Sequence, residues 1–163
     1  MSNYRSKKYR QRFEQDEDVG IAHSNYMLYF HLVWCVKERH DLITPEVKPK
    51  LEGYIRQKAD DLDVHILAIG INPEHVHLII SLKPIHYLPE IIQQLKGHSA
   101  YQVNQTVDDA FIKWSRGYGI RTVGRKDLQI AIDYVNNQSE HHSMNLRESQ
   151  EQYGDMPYPE PPF

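Results

Sequence analysis

The stretch VHILAIGINPEHVHLIISL, residues 64–82, decides the fold. Val64 to Ile71 is a short apolar run, Asn72, Pro73 and Glu74 are turn formers, and His75 to Leu82 alternates, with Val76, Leu78, Ile80 and Leu82 on one side. Successive side chains of a strand point to opposite faces of its sheet, so the pattern predicts two strands joined as an antiparallel hairpin. The even positions of the second strand then face a core. His75 and His77 point together to the other face.

Working outward, Tyr26 to Lys37 places Tyr26, Leu28, Phe30, Leu32, Trp34 and Val36 at even positions and predicts another strand, central in its sheet. Between these strands, Val47, Leu51, Tyr54, Ile55, Lys58 and Leu62 recur at helical spacing within Pro45 to Leu62, which puts Pro49 in the first turn, where proline is tolerated. After the hairpin, Pro84 to Pro89 starts a second helix on which Leu88, Ile91, Ile92, Leu95, Ser99 and Val103 share a face. Gly117 to Val123 is a last extended segment, weakened by two glycines, and Lys126 to His142 resumes helical spacing through Leu128, Ala131 and Val135. The order βαββαβ with an added C-terminal helix predicts a ferredoxin-like (RRM-like) α+β sandwich: a four-stranded antiparallel sheet with two helices on one face and the other face available.

A chain of 163 residues with 40% apolar and 25% charged content suits one globular domain. No apolar run approaches the ~20 residues of a membrane span. The lone Cys35 and the polar first 13 residues, which lack the apolar core of a secretory signal, point to the cytoplasm. The net charge of −3 hides its distribution: residues 1–13 carry +5, residues 14–18 carry −4, residues 143–163 carry −3, and residues 19–142 hold 13 basic against 14 acidic side chains. We therefore divide the chain into a flexible charged arm (1–24), a folded domain (25–142) and an acidic, Pro-rich tail (143–163) that holds four of the nine prolines. The net charge does not exclude a nucleic-acid partner.

Two imidazoles at i and i+2 on a strand can share a metal ion, but an ordinary half-exposed strand also carries polar residues there, so a third ligand is needed. The final helix stacks Tyr134 and Gln138 on one face, with His141 and His142 one turn further on. A tyrosine beside a metal ligand can act as a nucleophile towards phosphorus once phenolate is favoured. An amphipathic helix with a half-buried tyrosine accounts for the spacing equally well, and Tyr101 and Gln105 repeat it on the second helix. Spacing leaves the two readings open.

Five segments together resemble successive motifs of one family: Tyr29 to Lys37 (YFHLVWCVK), Asn72 to Ile80 (NPEHVHLII), Leu95 to Ser99 (LKGHS), Trp114 to Gly124 ending in TVG, and Tyr134 to Gln138 (YVNNQ). The chain resembles the HUH-type single-tyrosine transposases of small bacterial and archaeal insertion sequences, with the REP-associated tyrosine transposases as near relatives. The resemblance covers residues 25–142 and implies the same βαββαβ sandwich. It implies that His75 and His77, completed by Gln138, bind Mg²⁺ or Mn²⁺, and that Tyr134 is the catalytic nucleophile. Tyr101 falls on the wrong helix. The implied activity is cleavage and rejoining of single-stranded DNA through a 5′-phosphotyrosine, on elements whose ends carry DNA hairpins. The implied assembly is a homodimer in which the tyrosine helix of one subunit can complete the other's metal site.

Lys96 and Ser99 match the family's Lys-Gly-x-Ser segment and, with Arg121 on the last strand, are expected DNA contacts, a solvated helix face being the alternative for the first two. Trp114 and Tyr118 suit either base stacking or core packing. His31 shares the odd face of the first strand with Cys35 and reads as a hydrogen-bonded sheet histidine, with a place beside the metal site as the alternative. A non-cleaving module for single-stranded nucleic acid and a hydrolase using metal-bound water are the rival functions.

Overall fold

The computed structural model describes residues 25–141, without the side chains of residues 39 and 138–141. The charged arm, His142 and the Pro-rich tail lie outside the described residues. Strands β1 (Leu28–Cys35), β2 (His65–Ile71), β3 (His75–Leu82) and β4 (Gly119–Val123) form one antiparallel sheet in the order β2-β3-β1-β4. Helices α1 (Val47–Asp61) and α2 (Leu88–Thr106) follow β1 and β3, and α3 (Leu128–His141) follows β4. This is the expected ferredoxin-like α+β sandwich with its extra helix.

Periodicity explains the main layer. On α1, Val47, Leu51, Ile55 and Ala59 recur every four residues and are all buried. On α2, Ile91, Ile92, Leu95, Ser99 and Val103 form the buried stripe. Both pack on the even positions of β1 and β3, where Leu32, Trp34, Val76, Leu78, Ile80 and Leu82 join one apolar cluster. Pro49 sits in the first turn of α1, and Thr44 Oγ1 accepts a hydrogen bond from the Val47 amide at 3.3 Å. The helix ends in a tight reversal: Asp63 adopts φ 56°, and the Val64 amide reaches back to the Ala59 carbonyl at 2.9 Å. Aspartate tolerates this left-handed conformation better than most residues, and the turn delivers the chain directly into β2.

The second face is less open than the alternation suggests. Helix α3 crosses β2 and β3 there, and Val135 joins Ala68 and Ile79 in a small buried cluster edged by Leu67, Leu128, Ala131 and Ile132. Ile79 lies on the same face as His75 and His77, so β3 is buried on both sides at that point. Gly70 permits the approach: a Cβ there would stand 2.6 Å from the carbonyl oxygen of Val135. A register shift between Ile66 and Ala68 relative to β3 accommodates Leu67 in the same region.

The last strand is also shorter than Gly117 to Val123. The carbonyls of Ser115 and Gly117 each accept from Lys96 Nζ at 2.9 Å, and that of Arg116 lies 3.4 Å from the same nitrogen. Those carbonyls serve a buried ammonium instead of the sheet ladder, and regular pairing with β1 resumes at Gly119.

Candidate active site

The exposed half of the second sheet face gathers three histidines and a tyrosine. His75 and His77 leave β3 on one side, with ring centroids 4.8 Å apart. His31 leaves β1, whose register pairs His31 with Ile79 and Val33 with His77, so the His31 and His77 side chains are diagonal neighbours on one face. Their rings stack at 5.1 Å and 25°, and His31 Nε2 lies 2.9 Å from His77 Nδ1. Above them α3, anchored by Val135, brings Tyr134 edge-on to both rings at 6.3 Å from each centroid. The Tyr134 side chain is 41% exposed, whereas His77 is only 8% exposed. A buried His77, flanked by the half-buried His31 and His75, thus lies beneath a partly exposed tyrosine.

Each histidine is held from a different direction. The buried Asn72 places its amide nitrogen 3.0 Å from His75 Nε2, and Glu74 Oε1 lies 3.6 Å from His75 Nδ1. Burial, reinforced by the positive charge of Arg121, pushes the His31 pKa below the ordinary histidine range. Arg121 is directly opposite His31 across β1 and β4 and is exposed. Burial thus disfavours the protonated form of His31 where its ring meets His77.

The donor set fits a divalent cation in part. A ligating histidine normally donates its second ring nitrogen to a neighbour, and His77 Nδ1 has such a neighbour in His31 Nε2 at 2.9 Å, either ring being able to carry the shared proton. Both nitrogens of His75 face partners, so uptake of a metal there exchanges one of those contacts. Among the described residues, no group of three or more His, Cys, Asp or Glu side chains could hold a metal ion. The side chain of Gln138, the expected third ligand, lies outside the described residues, as do those of His141 and His142.

The structure thus brings His75, His77 and Tyr134 together, as expected, and adds His31. Tyr101 is exposed on α2, on the opposite layer. Two expected DNA contacts are corrected. Lys96 is 9% exposed and its ammonium is spent on the 115–117 loop, while the wholly buried Ser99 donates to the Lys96 carbonyl at 3.1 Å. Burial also pushes the Lys96 pKa down, with the Cys35 thiol opposing. Neither polar group is presented to a DNA strand: Lys96 holds the loop before β4, and Ser99 is satisfied within its own helix. Trp114 also meets this part of the helix, donating from Nε1 to the Lys96 carbonyl at 2.9 Å and standing edge-on to Trp34. Tyr118 packs against the main core. Asn72 and Glu74, which the sequence marks only as turn formers and motif members, also line His75, because the turn that opens the histidine strand folds them against its ring.

A ferredoxin-like domain with a histidine–tyrosine cluster on one sheet face is the class that fold and site define. Residues 24–138 match the family described as IS200-like transposases. The chain belongs to that family. It is 30% identical over 119 residues to the ISDra2 transposase TnpA of Deinococcus radiodurans, covering 69% of this chain and 85% of that one. It is 26% identical over 153 residues to the IS200 transposase of Salmonella typhimurium, covering 90% and 96%. Among solved structures, a Deinococcus radiodurans protein described as a transposase candidate superposes with TM-score 0.60 and 27% identity, over 72% of this chain and 95% of that one. A REP-associated tyrosine transposase bound to a REP hairpin shares the fold, with TM-score 0.55 and 20% identity over 74% and 73%. No described helix is long and apolar enough to cross a membrane.

Proposed function

We propose that this transposase cuts and rejoins single-stranded DNA at the ends of its element, with Tyr134 as the nucleophile. The observation that carries this reading is the delivery of Tyr134 by α3 to the His31–His77 pair, 6.3 Å from each ring. As the Tyr134 Oη–phosphorus bond forms, the bond from phosphorus to the departing 3′ oxygen breaks; the phenolic proton passes to solvent and the 3′ oxygen takes one up from solvent. The products are a 5′-phosphotyrosine and a free 3′-OH. The phosphodiester is conserved, so a 3′-OH from another end can later displace Tyr134 and reseal the strand without a nucleotide cofactor. His75, His77 and Gln138 would hold a Mg²⁺ or Mn²⁺ ion, whose chemistry is Lewis-acid polarisation of the scissile phosphate.

Arg121, exposed on β4 and directly opposite His31, is the residue we assign to the DNA backbone at the site. Residues 113–126 add Lys113, Arg116, Arg125 and Lys126, all exposed, and contain no acid. Such a run suits a phosphate path to Tyr134. The REP hairpin held by a structural neighbour supports a hairpin as the DNA form recognised. The assembly proposed is a homodimer. Helix α3 here meets the histidines of its own chain, and mixing His75→Ala with Tyr134→Phe subunits tests whether sites are also completed between chains.

The decisive experiment incubates the full chain with hairpin-bearing single-stranded DNA and Mg²⁺ and looks for a covalent adduct that survives denaturation. The adduct is expected with the unaltered chain and absent with Tyr134→Phe. Equal adduct from both would end the assignment. Metal-independent binding with no adduct would favour the non-cleaving module, and turnover insensitive to Tyr134→Phe would favour a hydrolase using water.

A further inference from the structure

His31 touches a proposed metal ligand, and the strand-transfer step gives it no bond to make or break. Its contact with His77 joins Nε2 of one ring to Nδ1 of the other at 2.9 Å. When both imidazoles are neutral they can share one proton there in two ways. If His31 Nε2 carries it, His77 has its own proton on Nε2 and cannot offer that nitrogen to a cation. If His77 Nδ1 carries it, His77 Nε2 keeps a lone pair and His31 keeps its proton on Nδ1. In both cases Nδ1 of His77 is committed to His31, so His77 can ligate only through Nε2. The stacked geometry, 25° between ring planes, also opposes rotation of the His77 ring.

We propose that His31 is a positioning residue for the metal site: by accepting the His77 Nδ1–H on Nε2, across β1 and β3, it holds His77 in the tautomer and orientation that present Nε2 to a divalent cation. This rests on the reading of His75 and His77 as metal ligands. It differs from a packing role because it requires an acceptor at one point in space. Leucine has similar bulk and no acceptor; the Oε1 of glutamine reaches close to the position of a histidine Nε2 and accepts.

The test measures Mn²⁺ binding to the full-length chain by loss of the free-ion electron paramagnetic resonance signal, with His77→Ala as reference. His31→Leu is expected to weaken binding by about tenfold to a hundredfold, the usual effect of losing a partner behind a metal-bound histidine. His31→Gln is expected to recover most of that affinity. In the metal-free protein, nitrogen chemical shifts should find His77 protonated on Nδ1 in the unaltered chain and in His31→Gln, and on Nε2 in His31→Leu. Unchanged Mn²⁺ binding in His31→Leu, equal weakening by Leu and Gln, or an Nε2-protonated His77 in the unaltered chain would each overturn the proposal. If the unaltered chain shows no His77-dependent Mn²⁺ binding, the metal reading itself fails, and this role with it.

Discussion

Ile79 and Ile80 are adjacent on β3, both fully buried, and they serve different halves of the molecule. Ile80 points into the continuous core that α1 and α2 close over the sheet, whereas Ile79 points into the small cluster under α3. The first face holds the fold together. The second uses a few apolar contacts to place one helix, leaving the rest of its area to histidines, Arg121 and solvent. The proposed site thus lies on the weakly buried side, where α3 is held by Val135 over Ala68 and Ile79, edged by Leu67, Leu128, Ala131 and Ile132.

The largest effect should come from breaking the first face. Ile80→Ala removes a wholly buried side chain from the main core, and we expect a loss of about 2–5 kcal/mol in denaturant unfolding, affecting fold and activity together. Next, Gly70→Ala attacks the second face alone. Its Cβ would meet the Val135 carbonyl at 2.6 Å, so α3 must lift, at a cost of about 1–3 kcal/mol in stability. Adduct formation at Tyr134 should fall much further than that loss predicts, while circular dichroism still reports the sheet. Proportionate losses of activity and stability would show that the two faces are not separable.

The smallest effects separate the two kinds of cation beside the site. Lys96→Met leaves the carbonyls of residues 115–117 without their ammonium and should cost about 1–3 kcal/mol in thermal unfolding, with the salt dependence of DNA binding unchanged. Arg121→Ala should leave the melting temperature nearly unchanged, weaken DNA binding, and lower the slope of log affinity against log salt by about one. The reverse pattern would return Lys96 to the DNA surface.

Much of this was legible along the chain because helix and strand periods are local. The even positions of β1 and β3, the four-residue spacing on α1 and the outward pair His75 and His77 all follow from where apolar residues recur. The covered second face was partly legible too: Ile79 interrupts the polar series His75, His77, Ser81, and an isoleucine there needs a cover. The fate of Lys96 was not. A lysine on a helix reads as solvated until the loop 115–117, far along the chain, supplies carbonyls that satisfy it in the interior.

By itself the sequence determined which segments become strands and helices, which face of each is apolar, and which residue types are available for phosphoryl chemistry. Tertiary structure decided what meets what. His31 reaches His77 only through the β1–β3 register, and Tyr134 reaches both only because Gly70 lets α3 rest on β2. Lys96 becomes structural only because the loop before β4 turns its carbonyls inward. Periodicity records how a residue sits on its own element, whereas hydrogen bonds and burial between distant elements depend on packing that no local pattern encodes.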